Sequence, residues 1–334
     1  MDKIKIAVDA MGSDEAPLND VSGAIIAAEL KPDALEIILV GQEKLITEEL
    51  QKHKVNPKNI SIVNADEIVT MEDSPTESLK TKPGSSISVG INLVKEKKAD
   101  AFISAGNTGA VMTASILKLG RIEGVGRPTI GSIFPSDVGT TMVFDVGASV
   151  DCKAKHLLEF ALMGNIYMKN IYNISNPRIG LLSVGEEKSK GDSLTLEAYE
   201  LLEKSGLNFI GNVEGRDVLR GKAEVIVCDG FVGNVVLKFA EGVLDVIKGK
   251  FRAYAAQGFF KKLWIGMMYG TLKNVVLKDF DYQEYGGVPL LGINGITIIG
   301  HGKSSPIAIK NMILKAEEMV VKNVNGKIRE SIRN

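Results

Sequence analysis

The most constraining feature of the sequence is a series of short, continuous apolar runs that alternate with segments of helical periodicity. The runs are rich in β-branched residues and do not alternate apolar with polar positions, which is typical of strands covered on both faces. They lie at 4–8, 35–40, 60–63, 101–104, 142–145, 179–183, 224–228 and 296–299. The pattern predicts an α/β fold with a mostly parallel sheet flanked by helices.

Helical periodicity fills most of the intervals between these runs. The predicted helices are 17–30, 85–97, 108–119, 157–168, 193–204, 232–247 and 306–324. No internal repeat or low-complexity linker divides the chain, so we expect one α/β catalytic domain over 1–334. Glycines and a proline cluster at 121–128, which makes that stretch the best candidate for a break between two lobes.

Composition excludes several classes of protein. The 40 Lys+Arg and 41 Asp+Glu residues nearly balance, which argues against a surface built to bind nucleic acid. The two cysteines, Cys152 and Cys228, form no C-x-x-C, so a disulfide scaffold or a zinc ribbon is not expected. The N-terminus lacks the features of a secretory signal, and no apolar run reaches the roughly 20 residues of a spanning helix. We therefore expect an intracellular protein.

Glycines concentrate just after the predicted strands, where open α/β sheets bind ligands. The loop from Ser104 to Ala110 joins a strand to a helix and contains Gly106 and Gly109. One interpretation is a phosphate cradle of backbone N–H groups, with Asn107 and Thr108 as side-chain donors. The other is a tight turn capped by Thr108, and the motif alone does not decide between them.

A second glycine-rich loop contains His301, the only histidine in such a setting. The stretch misses the P-loop pattern at Thr297 and the dinucleotide fingerprint at Ser305. It still places an imidazole, the cation of Lys303 and the hydroxyl of Ser304 at a predicted helix start, which suits an anionic ligand.

Three further loops follow strands and carry polar side chains. Asp229 and Asn234 flank a glycine turn, where capping is the favoured interpretation of the aspartate. Two lysines lie in the loop at 185–191, where a solvated charge cluster is the alternative to ligand binding. The loop at 9–14 carries Asp9 and Asp14, and Asp14 has a competing interpretation as the cap of the helix that starts at Pro17.

Residues 246–278 form a basic amphipathic excursion within the domain. The segment contains no acidic residue and seven lysines and arginines, including Lys273 and Lys278. Helical spacing places Phe260, Trp264, Met267 and Met268 on one side, with lysines on the flanks. This pattern is typical of a helix lying in an anionic membrane surface, and a dimer interface or a core helix are the alternatives.

Together these motifs resemble the bacterial phosphate acyltransferase family of phospholipid synthesis, in the same order along nearly the whole chain. The matching stretches are Asp9-Ala-Met-Gly12, Ser104 to Ala110, Asp145-Val-Gly-Ala148, Asp151-Cys-Lys153, Asp229 to Val235, Tyr285-Gly-Gly287, Pro289-Leu-Leu-Gly292 and His301-Gly302. Departures from the family pattern are Ser13, where glycine is usual, and Ser149 and Ser183, where asparagine is usual.

The resemblance implies a Rossmann-like fold similar to the phosphotransacetylase and isocitrate dehydrogenase-like group. It implies transfer of a long-chain acyl group from acyl carrier protein to inorganic phosphate. We expect no cofactor and name no metal ligands, and the sequence leaves open whether a metal assists. The acyl phosphate product is used by a membrane glycerol-3-phosphate acyltransferase. Members are cytoplasmic homodimers that associate peripherally with the inner face of the membrane.

For this chemistry we expect a pocket that holds phosphate and stabilises an oxyanion. Asn107, Thr108 and Gly109 are expected to bind phosphate or the oxyanion, Asn234 and Lys303 to complete the pocket, and His301 to protonate the departing thiolate. Further expected contacts are Ser104, Gly106, Asp229, Gly233 and Ser304, with Asp9, Gly12, Lys188 and Lys190 as loop contacts.

Two surfaces are also expected. An acidic carrier protein would dock on basic residues, for which the candidates are Lys80, Lys82, Lys97, Lys98, Arg121 and Arg127. The expected membrane contact comprises Phe259, Phe260, Lys261, Lys262, Trp264, Met267 and Met268.

Three other functions stay open on the sequence. A phosphotransacetylase or phosphotransbutyrylase acting on short acyl-CoA would have no need of the segment at 246–278. A nicotinamide-dependent oxidoreductase is disfavoured by the incomplete fingerprint at Gly300. A non-catalytic membrane adaptor would leave the glycine-rich strand-end loops without a purpose.

Overall fold

A computed structural model describes residues 3–53, 57–149, 151–271 and 282–333. The chain forms two compact units. Unit 1 comprises Met1–Gly131, Leu162–Asn176 and Tyr282–Asn334, and unit 2 comprises Ser132–Ala161 and Pro177–Asp281. The chain first passes from unit 1 to unit 2 after Gly131, and the lobe break near 121–128 stays a prediction.

Unit 1 is built on a mostly parallel sheet with the strand order β3-β2-β1-β4-β11-β10. Its strands are β1 (Ile4–Asp9), β2 (Leu35–Gly41), β3 (Ile60–Asn64), β4 (Ala101–Ser104), β10 (Val288–Leu291) and β11 (Ile296–Ile299), and β5 (Thr129–Ser136) begins in this unit. β1, β2, β3, β4 and β11 run parallel. β10 is antiparallel to both β11 and the start of β5.

The helices of unit 1 follow the strands in the manner of crossover connections. They are α1 (Leu18–Leu30), α2 (Glu43–Lys52), α3 (Pro75–Thr81), α4 (Ser86–Lys95), α5 (Thr108–Leu119), α11 (Tyr282–Tyr285), α12 (Pro306–Val321) and α13 (Val324–Arg333). Helix α6 (Ala154–Ile171) begins in unit 2 and ends in unit 1.

Unit 2 contains a parallel sheet with the order β6-β9-β7-β8. Its strands are β6 (Gly139–Phe144), β7 (Ile179–Leu182), β8 (Phe209–Val213) and β9 (Val225–Val227). Its helices are α7 (Ser193–Glu203), α8 (Asp217–Arg220), α9 (Gly230–Ala255) and α10 (Phe259–Thr271).

The predicted α/β class and mostly parallel sheet are confirmed. Every residue of β4 and β11 is buried, as continuous apolar runs require of strands covered on both faces. Packing is close where helices meet the sheet. A side-chain carbon at Gly90 of α4, for example, would lie 2.3 Å from the ring of Phe102 in β4.

The sequence prediction missed strands β5, β8 and β10 and helices α2, α3, α8, α11 and α13. β10 is only four residues long and contains Pro289, so its local pattern is weak. The helix predicted over 306–324 corresponds to α12, which ends at Val321, and α13 follows it from Val324. Asn323, with a φ of 49°, lies in the left-handed region between them, and asparagine tolerates this conformation better than most residues.

In the ranges that the structure describes, no helix combines the length and the hydropathy required to cross a bilayer.

Candidate active site

Three parallel strands of unit 1 end at the same edge of its sheet. β4 is flanked by β1 and β11, and Ile299 at the end of β11 is paired with Ser104 at the end of β4. The Gly300 N–H donates to the Ser104 carbonyl at 2.8 Å. The loops that follow Asp9, Ser104 and Ile299 therefore meet at one edge, as the carboxyl ends of parallel strands should.

Asp9 is buried at the centre of this edge. Its Oδ1 accepts the Met11 N–H at 3.0 Å and its Oδ2 accepts the Ser104 hydroxyl at 2.6 Å. Burial raises the pKa of the Asp9 carboxyl, and hydrogen bonds from Ser104, Ser86 and Met11 oppose that rise only in part. Burial therefore opposes ionisation of this carboxyl, and the hydrogen bonds that its two oxygens accept favour ionisation.

Gly12 and Gly106 allow the loop after β1 and the loop after β4 to approach each other. A side-chain carbon at Gly12 would lie 2.7 Å from Asp9 Oδ2 and 2.8 Å from the backbone nitrogen of Gly106. Real side chains essentially never come so close to backbone atoms, so glycine is required at residue 12 by the buried carboxyl and the neighbouring turn.

Helix α5 is capped by Asn107, and the sequence-based alternative with Thr108 as the cap is wrong. The Asn107 Oδ1 accepts the Ala110 N–H at 3.0 Å. Its side-chain nitrogen donates to the carbonyls of Thr70 at 3.0 Å and Asp73 at 3.1 Å, with Met71 O at 3.3 Å. The Asn107 amide is therefore engaged in holding the 70–73 loop against α5.

The backbone at the start of α5 retains donors. Among the residues that the structure describes, no hydrogen bond uses the N–H of Thr108 or Gly109. Thr108 is exposed, and Gly109 is half-buried against Pro75. The first turn of a helix carries unpaired N–H groups and a partial positive charge, which together favour an anion.

The loop after β11 is held by its own backbone and by the loop after β1. The Asp14 N–H donates to the Gly302 carbonyl at 2.7 Å, and the buried Ser304 hydroxyl donates to the His301 carbonyl at 2.6 Å. Asp14 does not cap α1, since that helix starts after Pro17 without a side-chain cap. The alternative explanation of Asp14 as a cap is wrong.

His301 is exposed, and its tautomer follows from one contact. The Lys303 N–H donates to His301 Nδ1 at 3.2 Å. Nδ1 is therefore an acceptor, and the neutral ring carries its proton on Nε2. Lys303 is exposed in the same loop.

Asp20 is a buried carboxyl that sequence reasoning missed. Its Oδ2 accepts the Ser13 hydroxyl at 2.6 Å, and its Oδ1 has no hydrogen-bond partner among the described residues. Burial, with a smaller contribution from Asp9, raises the pKa of Asp20 to about 8. An acidic residue on the apolar face of α1, next to Val21 and Ala24, is the signal that could have identified it.

The departures from the family pattern have local partners in the structure. Ser13 supplies the hydroxyl that pairs with Asp20, which a glycine could not do. The Ser183 hydroxyl donates to the Lys190 carbonyl at 3.2 Å, and the Ser149 carbonyl accepts the Gly230 N–H at 2.9 Å.

In unit 2, hydrogen bonds and close packing hold the loop before α9 in place. Asp229 caps the helix, its Oδ1 accepting the Phe231 N–H at 2.9 Å and the Val232 N–H at 3.0 Å. A side-chain carbon at Gly233 would lie 1.9 Å from the Asp145 carbonyl oxygen, so this glycine is explained by packing. Asn234 is exposed next to Gly147.

The two loop lysines of unit 2 are exposed. Lys188 Nζ lies 2.6 Å from a Glu203 carboxylate oxygen and 5.0 Å from the centre of the Tyr199 ring. The Lys190 carbonyl accepts from Asn212 as well as from Ser183. These contacts account for Lys188 as part of a surface charge cluster.

The candidate docking residues differ in their hydrogen bonds and ion pairs with the rest of the chain. Lys82 donates to the carbonyl of Ile68 and pairs with Asp73 at 2.5 Å, a hydrogen bond that lowers the pKa of the Asp73 carboxyl. Arg121 donates to the Gly126 carbonyl. The remaining candidates, Lys80, Lys97, Lys98 and Arg127, are exposed, and Lys98 pairs with Glu96 at 2.7 Å.

The apolar side of α10 is uncovered in this chain. Phe260 is 83% exposed and Trp264 is 49% exposed, and Phe259, Met267 and Met268 are also exposed. Lys261 Nζ lies over the Tyr254 ring. The core-helix alternative is therefore wrong for α10, while Lys273 and Lys278 lie outside the described residues.

Within the described ranges, no group of three or more His, Cys, Asp or Glu side chains is arranged so that it could hold a metal ion.

Comparisons with known proteins agree along nearly the whole chain. A family model described as "Fatty acid synthesis protein" matches residues 4–327. The phosphate acyltransferase of Halothermothrix orenii is 48% identical over 335 residues, which covers 98% of both chains. The phosphate acyltransferase of Dictyoglomus turgidum is 46% identical over 331 residues, again with 98% of both chains covered.

Solved structures with the same fold are more distant in sequence. A phosphotransacetylase from Streptococcus pyogenes superposes with a TM-score of 0.63 at 17% identity, covering 96% of this chain and 94% of that one. The EutD phosphotransacetylase from Staphylococcus aureus gives a TM-score of 0.60 at 16% identity, covering 95% and 94%. At this identity the likeness concerns the fold alone, and it agrees with the fold group that the motifs implied.

Proposed function

The chain belongs to the fatty acid synthesis protein family and is an acyltransferase, and from that premise we propose that it transfers a long-chain acyl group from acyl carrier protein to inorganic phosphate. The product would be an acyl phosphate, which a membrane glycerol-3-phosphate acyltransferase consumes in phosphatidic acid synthesis. The observation that carries the proposal is the start of α5, where two backbone N–H groups lack partners within the described residues at an edge where three strands end.

The reaction needs little chemical activation by the protein. Phosphate at neutral pH already carries an anionic oxygen, which attacks the thioester carbonyl and forms a C–O bond. The tetrahedral oxyanion then collapses, the C–S bond breaks, and the departing thiolate takes a proton. The protein must bind phosphate, orient it and stabilise the oxyanion, and the N–H groups of Thr108 and Gly109 suit the first of these tasks.

His301 is the proposed source of the proton for the thiolate. The donor must be the imidazolium form of this exposed ring, because a neutral imidazole is too weak an acid to protonate a thiolate, and forming it breaks the contact of the Lys303 N–H with Nδ1. Lys303 in the same loop supplies a cation for the anionic substrate. Changing His301→Ala should lower kcat and remove a limb of its pH profile. An unchanged profile would reject the acid role. The unit 2 candidates Asn234, Asp229 and Gly233 stay predictions.

The carrier-protein substrate is proposed to dock on exposed cations of unit 1. Lys80 is a better candidate than Lys82, because Lys82 is paired with Asp73, and Arg127 is a second exposed cation of this unit. Charge reversal at Lys80 or Arg127 should raise KM for the carrier-linked donor more than KM for a small thioester. Equal effects on both donors would refute this docking site.

Helix α10 is proposed to lie on the cytoplasmic face of an anionic membrane. Its exposed aromatic and methionine side chains, flanked by Lys261 and Lys262, are the supporting observation. Trp264→Glu should abolish sedimentation with phosphatidylglycerol vesicles and leave turnover of a water-soluble donor unchanged. Binding that survives this change would contradict the proposal.

A homodimer is proposed through α9. Phe231, Val235, Phe239, Val243 and Val246 form an exposed apolar stripe at helical spacing, which a second copy of the chain would cover. Light scattering should give the mass of two chains for the wild type and of one chain for Phe239→Glu. A wild-type monomer would refute the dimer.

The decisive experiment incubates the purified protein with palmitoyl-carrier protein and phosphate, with no added cofactor. We expect phosphate-dependent release of carrier thiol together with formation of acyl phosphate. Reaction with short acyl-CoA alone would favour a phosphotransacetylase. Inertness toward both donors would refute the proposed function.

A further inference from the structure

A series of hydrogen bonds connects the end of β1 to the turn that precedes α5. Asp9 Oδ1 accepts the Met11 N–H at 3.0 Å, and Asp9 Oδ2 accepts the Ser104 hydroxyl at 2.6 Å. The same hydroxyl oxygen accepts the Gly106 N–H at 3.0 Å. The carboxyl of Asp9 thus reaches, through one hydroxyl, the backbone two residues before the first residue of α5.

The Ser104 hydroxyl has no proton left for a ligand. A serine hydroxyl has one hydrogen, and here it is committed to Asp9 Oδ2. Asp9 and Ser104 are each only 1% exposed. Neither side chain is therefore available to contact phosphate bound at the start of α5, although both are candidate contacts on the sequence alone.

The turn has little freedom to move away from this series of bonds. Gly106 packs against Gly12, with the Gly12 Cα 3.3 Å from the position of a Gly106 side-chain carbon. On its other side Asn107 fixes the turn to the 70–73 loop. The directions of the Thr108 and Gly109 N–H bonds follow directly from the backbone at Gly106 and Asn107.

We infer that Asp9 and Ser104 are positioning residues: they hold the Gly106 N–H and so aim the α5 donors at phosphate, without touching it themselves. This inference rests on the proposed function. Removing the Ser104 hydroxyl takes away the acceptor of the Gly106 N–H and one of the hydrogen bonds to Asp9 in a buried place, so the turn relaxes and the donors lose their alignment.

The first test compares Ser104→Ala with Ser115→Ala. Ser115 is a matched control, because it is a buried serine on α5 whose hydroxyl lies 3.2 Å from that of Thr297, away from the turn. We expect Ser104→Ala to raise KM for phosphate by about tenfold and to leave KM for the acyl-carrier donor within about twofold. Ser115→Ala should change neither constant by more than about twofold.

Asp9→Asn and the double variant test whether the two residues act together. If Asp9 acts through Ser104, the double variant should raise KM for phosphate no more than the stronger single variant does. Asp9→Asn also serves where Ser104→Ala does not fold. Effects that add, or that fall equally on both substrates, would overturn the inference, as would a Ser104→Ala variant that matches Ser115→Ala.

Calorimetric titration with inorganic phosphate separates this inference from the proposed function. A wild type that binds phosphate but turns over no acyl donor refutes the function, and a weaker phosphate Kd in Ser104→Ala still supports the positioning role. Unchanged phosphate affinity in both Ser104→Ala and Asp9→Asn, or no phosphate binding by the wild type, rejects it.

Discussion

Helices α5 and α9 begin in the same way in sequence and differently in structure. Each follows a buried parallel strand, each has a glycine near its start (Gly106 before α5, Gly230 as the first residue of α9), and each is capped by an Asn or Asp side chain. The neutral amide of Asn107 takes only the Ala110 N–H, whereas the carboxylate of Asp229 takes the N–H groups of both Phe231 and Val232. A helix that follows a strand and a glycine can therefore either keep first-turn N–H groups without partners in the described ranges or bind them to its own cap.

The carboxyls around the two helix starts differ as well. Asp9 and Asp20 near α5 are buried, and burial raises the pKa of each carboxyl, to about 8 for Asp20. Asp229 at α9 is half-buried and bonds two backbone N–H groups. A negative cap of this kind competes with an anionic ligand for the same donors.

The largest expected effect is a loss of stability on changing Gly233 in the first turn of α9. Gly233→Ala places a carbon 1.9 Å from the Asp145 carbonyl oxygen, and we expect a loss of about 3 kcal/mol or more in the free energy of unfolding. Gly242→Ala is the matched control on the same helix, since open space surrounds it, and it should stabilise by about 0.5–1 kcal/mol. Urea unfolding measures both. Equal stability of the two variants would show that the α9 turn is not tightly packed.

The next effect is the pH dependence contributed by Asp20. Its folded pKa of about 8 lies above the value of 3.8 for an unperturbed carboxyl, so between these values the folded chain holds a proton that the unfolded chain releases. Stability from this group is full below about pH 4 and falls by about 1.4 kcal/mol per pH unit as the pH rises toward 8.

Asp20→Asn should flatten this slope, as followed by urea unfolding at several pH values between 5 and 8. Asp33→Asn, at an exposed carboxyl, should keep the wild-type slope. A wild type whose stability rises with pH across this range would mean that Asp20 is ionised in the folded chain.

A variant with a smaller expected effect tests the start of α5 directly. Thr108→Asp adds a negative charge where phosphate is proposed to bind, and KM for phosphate should rise about tenfold, or about 1.4 kcal/mol. Stability should not fall, because a carboxylate in the first turn interacts favourably with the helix dipole. Ser193→Asp makes the same change at the first residue of α7 and should leave KM unaltered. Identical kinetics of both variants would remove α5 from the phosphate site.

The smallest effect is the loss of a cap. Asp229→Ala leaves the N–H groups of Phe231 and Val232 without their acceptor and should cost about 1 kcal/mol of unfolding free energy. Asp229→Asn retains an acceptor oxygen and should cost less. Thermal unfolding of the two variants gives the comparison, and a larger loss for the Asn variant would imply that Asp229 has a role beyond capping.

The local hydrophobic pattern of the sequence predicts much of the secondary structure of unit 1. The apolar runs that become β4 and β11, and the helix that becomes α5, were predicted with the bounds that the structure has. Strand β10 was missed because a four-residue strand that contains a proline has little of the strand pattern. Helix α13 was missed because the turn at Asn323, which separates it from α12, depends on tertiary packing.

The structure gives some of the predicted site residues structural roles that the motifs did not show. Asn107 and Thr108 were correctly placed at a strand-to-helix turn, but Asn107 takes the capping position and its amide binds the 70–73 loop. Asp20 was missed because its significance depends on burial against Ser13 and Asp9 rather than on any motif.

Residue order alone is sufficient to predict the α/β class, the positions of the glycine turns and the family. Each depends on the order of neighbouring residues, which periodicity and motif spacing record. Long-range packing determines which of two similar helix starts keeps N–H groups without partners in the described ranges, and in which carboxyls burial raises the pKa. The bond from Ser104 to Asp9 spans 95 residues and that from Asn107 to Thr70 spans 37, and desolvation exists only once the chain has packed.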